Sequence, residues 1–205
     1  MRSNRLRACL ALAAALLVVA PLAHSQSERS AGELMDAVMW AREPIGGPFA
    51  LIDHAGKPRT DTEFRGKLML VYFGFTLCPD VCPTDLMAMS QAIDKLGAAG
   101  DAVQPLFVTV DPERDTPAHL ADHVPSFHPR LIGLTGDAAQ IRDTARAYRV
   151  YYAKVDLGAG AEYTVDHSGF IYLMDRKGKY LGFFPPGTPA DRMAAVLKTH
   201  LSAKR

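Results

Sequence analysis

Leu68-Met69-Leu70-Val71-Tyr72-Phe73-Gly74-Phe75 is an apolar run of strand formers, and Cys78-Pro79-Asp80-Val81-Cys82-Pro83 follows it almost at once. The run reads as a central strand buried on both faces. The second stretch leaves the carboxyl end of that strand and enters a helix expected from Pro83 to about Gly97. In an open α/β sheet, ligand sites collect at such strand ends. Pro83 suits the first helical position and disfavours the α conformation for Cys82. The two cysteines are therefore expected on a tight loop at a helix N-terminus. The positive end of the helix dipole there favours thiolate over thiol.

Working outward, further strands are expected at Phe49-Ala50-Leu51-Ile52, Pro105 to Val110, Leu131 to Leu134, and the hairpin Phe170 to Met174 with Tyr180 to Phe184. Helices fall between them. Thr116-Pro117 opens one, with Leu120, Val124 and Phe127 on one face. Asp137 caps another, with Gln140 three residues on and Ile141, Ala145 and Tyr148 inward. Thr188-Pro189 opens the last, carrying Met193, Val196 and Leu197 inward. Alternating strands and helices that close on a hairpin and a helix describe an α/β sandwich, a mixed central sheet flanked by helices. Met87 and Met89 read as helical core filling. Tyr151, Tyr152 and Tyr163 read as strand and core residues.

The 205 residues suit one domain behind an N-terminal segment. Residues 1–25 read as a secretory signal, with Arg2, Arg5 and Arg7 ahead of the apolar run Ala8 to Ala20, then Ala23-His24-Ser25 as a cleavage site. The alternative is an uncleaved membrane anchor, for which the run is short. Residues 26–43 read as a lead-in segment and 44–205 as the domain, starting at the breaker-rich Pro44-Ile45-Gly46-Gly47-Pro48. Three of the 23 Lys and Arg lie in the signal, and the remaining 20 face 22 Asp and Glu. That mildly acidic balance excludes a dedicated nucleic-acid binder. Export implies a periplasmic location, tethered to the inner membrane if the anchor is retained.

Of three cysteines, Cys9 lies in the signal, so the mature chain keeps Cys78 and Cys82. Three residues separate them, one more than in the usual thiol oxidoreductase loop. Such a loop can close into a disulfide or hold one metal. Two thiolates suit Cu(I) and also zinc. A structural zinc site needs four protein ligands, and the absence of a third mature cysteine tilts the choice toward copper. A third ligand must come from His54, His119, His123, His128, His167 or His200. His119, His123 and His128 lie on or near a helix and read as solvated or capping residues. His167 leads directly into the strand Phe170 to Met174, and it faces the cysteines if that strand neighbours Leu68 to Phe75. A lone histidine is usually no ligand, so spacing alone leaves this open.

Three stretches together resemble the signatures of the Sco family, also called SenC. They are Cys78-Pro79-Asp80-Val81-Cys82-Pro83, Val110-Asp111-Pro112-Glu113-Arg114-Asp115-Thr116-Pro117, and Val165-Asp166-His167-Ser168. The resemblance runs in order from about Phe49 to Leu201. It implies a thioredoxin-like fold and copper, as Cu(I) and also Cu(II), held by Cys78, Cys82 and His167. It implies a metallochaperone that supplies copper to cytochrome c oxidase or keeps that enzyme's copper-ligand cysteines reduced. The partners implied are the oxidase's copper-site subunit, with other copper chaperones or thiol reductases. Asp111 resembles the family's acidic residue near the site, where the alternative role is a strand-end acid that caps the next loop. The competing function is a thiol–disulfide oxidoreductase, with Cys78 and Cys82 as its redox-active pair. A purely structural disulfide is the bland alternative, but closing so short a loop gains little stability. Neither cysteine has the Pro and Thr offsets of a peroxiredoxin.

Overall fold

The computed structural model describes residues 45–79, 81–158 and 163–202. They fall within one unit, Ala41–Arg205. The signal, lead-in and domain-start readings for residues 1–44 lie outside the described residues. In chain order the elements are β1 (Ala50–Asp53), β2 (Pro58–Thr60), β3 (Leu68–Gly74), α1 (Val81–Asp94), β4 (Val103–Thr109), α2 (Pro117–His123), β5 (Ile132–Thr135), α3 (Ala138–Ala147), β6 (Tyr152–Val155), β7 (Thr164–His167), β8 (Ile171–Met174), β9 (Tyr180–Phe184) and α4 (Ala190–Ser202).

Seven strands form one mixed sheet in the order β2-β1-β5-β4-β3-β8-β9, while β6 and β7 form a separate ribbon. Strands β3, β4 and β5 run parallel, and the flanking pairs are antiparallel. This is the expected thioredoxin-like α/β arrangement. Every residue of β3 is buried, as its unbroken apolar run requires. Leu68, Leu70 and Tyr72 enter one cluster with Leu86, Met89 and Ile93 of α1 and Met193 and Leu197 of α4. On the other face, Phe73 packs against Tyr148 and Tyr172 at ring-centroid distances of 5.2 and 6.0 Å. Burying each such side chain contributes about 1.5–3 kcal/mol, which anchors β3 as the platform of the fold.

The helix ends follow their sequence signals. The Asp137 side chain accepts from the Ala139 and Gln140 N–H groups, and the Gln140 side chain returns to Asp137 N–H. Thr116 accepts from His119 N–H, with Pro117 in the first turn of α2. Four expectations need correction. Helix α1 begins at Val81 and ends at Asp94, so Cys82 is helical. Its Pro83 sits in the first turn, where a missing N–H breaks no intrahelical bond. Met87 is exposed, whereas Met89 is core. Tyr151 is exposed because it precedes a ribbon that the main sheet does not cover. His128 is buried, with its Nδ1 accepting from Arg130 N–H at 3.0 Å.

Candidate metal centre

The chain leaves β3 at Gly74 and turns at once, with Cys78 N–H donating to the Phe75 carbonyl at 3.2 Å. Asp115 fixes that turn. Its carboxylate accepts from Thr76 N–H at 3.0 Å, from the Thr76 hydroxyl at 2.6 Å, and from the Thr109 hydroxyl at 2.6 Å. One buried acid therefore fastens the cysteine loop to the end of β4. His119 Nε2 lies 3.2 Å from the same Thr76 hydroxyl. The sequence reading passed over Asp115. Its signal lay in Val110 to Pro117, a stretch read for the family resemblance, for Asp111 and for the helix start at Thr116-Pro117, with no separate role for Asp115.

Cys78 is half-buried and Cys82 is 1% exposed. Both are thiols. The Cys82 sulfur nests against Gly74, where an added Cβ would lie 3.0 Å from it and 3.0 Å from the Phe107 ring. A glycine here leaves room for the sulfur.

His167, which leads toward the next strand as expected, is itself the last residue of β7. It lies opposite Tyr152 in the β6–β7 ribbon. Because β8 pairs with β3, the turn after β7 returns beside the cysteine loop, as the sequence argument required. The imidazole is set edge-on against Tyr72 and Phe75, at 6.4 and 5.9 Å between centroids. Its Nδ1 lies 3.3 Å from the Ser168 carbonyl, which can only accept. The proton is thereby assigned to Nδ1, and the Nε2 lone pair is aimed at the Cys82 sulfur 3.3 Å away. The three candidate ligand atoms of Cys78, Cys82 and His167 all lie within 4.8 Å of one another. Among the described residues no other group of three or more His, Cys, Asp or Glu is so disposed. Two sulfurs and one imidazole fit a soft ion of low coordination number.

The neighbouring Cys78, followed by burial, pushes the Cys82 thiol far above its ordinary range. For Cys82 this overturns the expectation that the helix end makes it a ready thiolate. Metal binding would displace that proton. Burial also raises the Asp85 carboxyl, opposed by the Gly187 N–H that donates to it at 2.8 Å. Asp111 does not join the three ligands. Its two oxygens are taken by Arg114 and by the Tyr163 hydroxyl at 2.8 Å, so it braces the loop after β4.

Comparison with known proteins gives a consistent result. The SCO1/SenC family model matches residues 38–202. The chain is 44% identical over 159 residues to the mitochondrial SCO2 homolog of Mus musculus, covering 77% of this chain and 62% of that protein. The chain thus spans less than two thirds of that relative, and the same holds for the fission-yeast protein sco1. Bradyrhizobium japonicum ScoI, solved with copper bound, is 46% identical with a TM-score of 0.71, over 76% of this chain and 99% of that one. BsSco, described as having a disulfide switch and as a member of the Sco family of cytochrome c oxidase assembly proteins, is 25% identical. Its TM-score is 0.60, over 80% of this chain and 98% of that one.

Proposed function

The chain belongs to the SCO1/SenC family, and from that premise we propose that it binds copper through Cys78, Cys82 and His167 and serves the assembly of cytochrome c oxidase. The observation that carries this reading is the convergence of two sulfurs and the Nε2 lone pair within 4.8 Å. Copper is the cargo. Cu(I) suits the two thiolates, and the imidazole extends the site to Cu(II). Binding displaces the thiol protons. The Ser168 carbonyl holds Nδ1–H and so fixes the ring that presents Nε2. Half-buried Cys78 is the donor an acceptor reaches first, while Cys82 stays inside. The acceptor is the oxidase's copper-site subunit, and other copper chaperones or thiol reductases supply or reset the site.

A second reading treats Cys78 and Cys82 as a redox-active pair that reduces disulfides of exported partner proteins and is itself oxidised to the Cys78–Cys82 disulfide. Their proximity and the disulfide switch described for BsSco favour it. Both readings put the domain on the exported side of a membrane, in the periplasm, tethered if residues 8–20 are retained as an anchor. Metal analysis after anaerobic Cu(I) loading and desalting tests the first reading. One copper per chain is expected. Retention well below one, or a preference for zinc, would overturn it.

A further inference from the structure

The histidine stands on an element that the main sheet does not hold. Among the described residues, strands β6 and β7 pair only with each other. An isolated two-stranded ribbon is marginal in water, so its position must come from other contacts. We propose that Arg114 is the positioning residue that clamps this ribbon to the cysteine loop, and that it sets copper affinity by acting through His167. The inference rests on the copper reading above.

The contacts run in a chain. Arg114 Nε pairs with Asp111 at the end of β4. Its Nη1 donates to the Tyr163 carbonyl at 2.8 Å, one residue before β7 begins. The guanidinium plane lies over the Tyr163 ring at 3.8 Å from the centroid. The Tyr163 hydroxyl returns to Asp111, which closes a ring of three residues. The guanidinium also lies 5.8 Å from the Phe75 centroid. Phe75 is the residue whose carbonyl accepts from Cys78 N–H and whose ring supports the His167 imidazole at 5.9 Å. The second strand is gripped as well. Lys154 of β6 lies 4.4 Å over the same Tyr163 ring and pairs with Glu113. The segment 111–114 thus holds both strands of the ribbon, and Arg114 links the ribbon to Phe75, the residue that starts the cysteine turn.

Only an arginine supplies this combination. A planar fork donates at its edge to Asp111 and the Tyr163 carbonyl while its face lies over the Tyr163 ring, and a compact ammonium group cannot do both from one position. Loss of the clamp leaves all three ligands present but frees the histidine to swing away. Replacing a residue that orients a ligand costs about 10–100-fold in metal affinity.

The test is a cycle of Cu(I) affinities, measured by competition with a chromophoric chelator. Arg114→Ala, Arg114→Lys and Tyr163→Phe are each made with His167 present and with His167→Ala. With His167 present, Arg114→Ala and Arg114→Lys should both weaken binding about 10-fold or more. Tyr163→Phe keeps the stacked ring and loses one hydrogen bond, so it should fall between them and the parent. With His167→Ala, none of the three should weaken binding further by more than about 2-fold, since the ligand they orient is gone. Equal losses in both backgrounds would mean a general effect on the fold and overturn the proposal, as would unchanged affinity with His167 present. Should Arg114→Ala fail to fold, Tyr163→Phe decides the same comparison. If His167→Ala alone leaves affinity unchanged, His167 is no ligand, and the copper site falls together with its clamp. If it weakens binding while the Arg114 variants do not, only the clamp falls.

Discussion

The Cys82 sulfur and the His167 Nε2 lie 3.3 Å apart although 85 positions separate them in the chain. The approach depends on two features of the sheet. Strand β8 runs beside β3, and the turn before β8 carries His167 back over the amino end of α1. Tyr72 and Phe75, at the end of β3, then form the walls against which the imidazole sets.

Oxidation should act on this site as a switch. Both sulfurs lie within the same 4.8 Å group, and a short loop with one sulfur half-exposed can close. Air or Cu(II) should form the Cys78–Cys82 disulfide and release the metal, because a disulfide sulfur is no longer a thiolate donor. Thiol titration with parallel metal analysis reads both events. Two thiols that persist after oxidation, with copper retained, would contradict this.

The pH dependence of the metal-less protein follows from the raised Cys82 thiol, whose causes are the adjacent Cys78 and then burial. An unfolded cysteine titrates near about pH 8.5. Below that value folded and unfolded chains both keep the proton, and the stabilising contribution is complete. Above it the unfolded chain gives up the proton while the folded one retains it. Stability should therefore fall with rising pH by up to about 1.4 kcal/mol per pH unit from this group. Denaturant melts from about pH 7.5 to 9.5 bracket the transition and stay below the ordinary tyrosine range. Cys82→Ser should flatten the decline. An equal slope in the variant would assign the effect elsewhere.

The parts of this arrangement that were legible in the sequence share a cause. Leu68 to Phe75 could be read as a strand because burial on both faces demands an unbroken apolar run. Asp137 and Thr116 could be read as caps because their side chains satisfy N–H groups only a few residues away. Of the ribbon only Tyr152 was read as a strand residue; the pairing was not legible. Tyr152–Val155 and Thr164–His167 are only partly buried, so neither carries the alternation of a half-buried strand. Their backbone groups pair with each other. The start of α1 was misjudged for a related reason. The rule that a residue before proline avoids the α conformation is a local preference. At Cys82 burial of the sulfur against Gly74 and the core outweighs it. Cys78 and Cys82 could be singled out by residue type and spacing, but His167 needed the resemblance, because its place depends on which strands pair.

Asp115 should matter to stability and to copper together. Asp115→Ala leaves the Thr109 hydroxyl and both Thr76 donors without their acceptor. Each buried polar group so left costs about 1–3 kcal/mol, and partial exposure of Thr76 reduces its share. A loss of about 3 kcal/mol is expected in chemical denaturation. Copper affinity should fall as well, because the turn that carries Cys78 loosens. Asp115→Asn keeps one acceptor oxygen and should lose less of both. Wild-type stability in Asp115→Ala would refute this account of the turn.

His167→Ala separates the two functional readings. The change removes an imidazole and leaves both sulfurs and the start of α1 in place. A site of three ligands becomes a site of two, so copper affinity should drop by about 10-fold or more. Thiol exchange with a small disulfide should change far less, because attack depends on thiolate fraction and access. Cys82→Ser differs, since it abolishes the intramolecular disulfide and one copper ligand at once. In cells that lack the native protein, a copper carrier should fail to support oxidase assembly in either variant. A pure reductase should fail with Cys82→Ser and tolerate His167→Ala. Normal oxidase assembly with His167→Ala, alongside failure with Cys82→Ser, would overturn copper delivery and leave thiol reduction as the function of the pair.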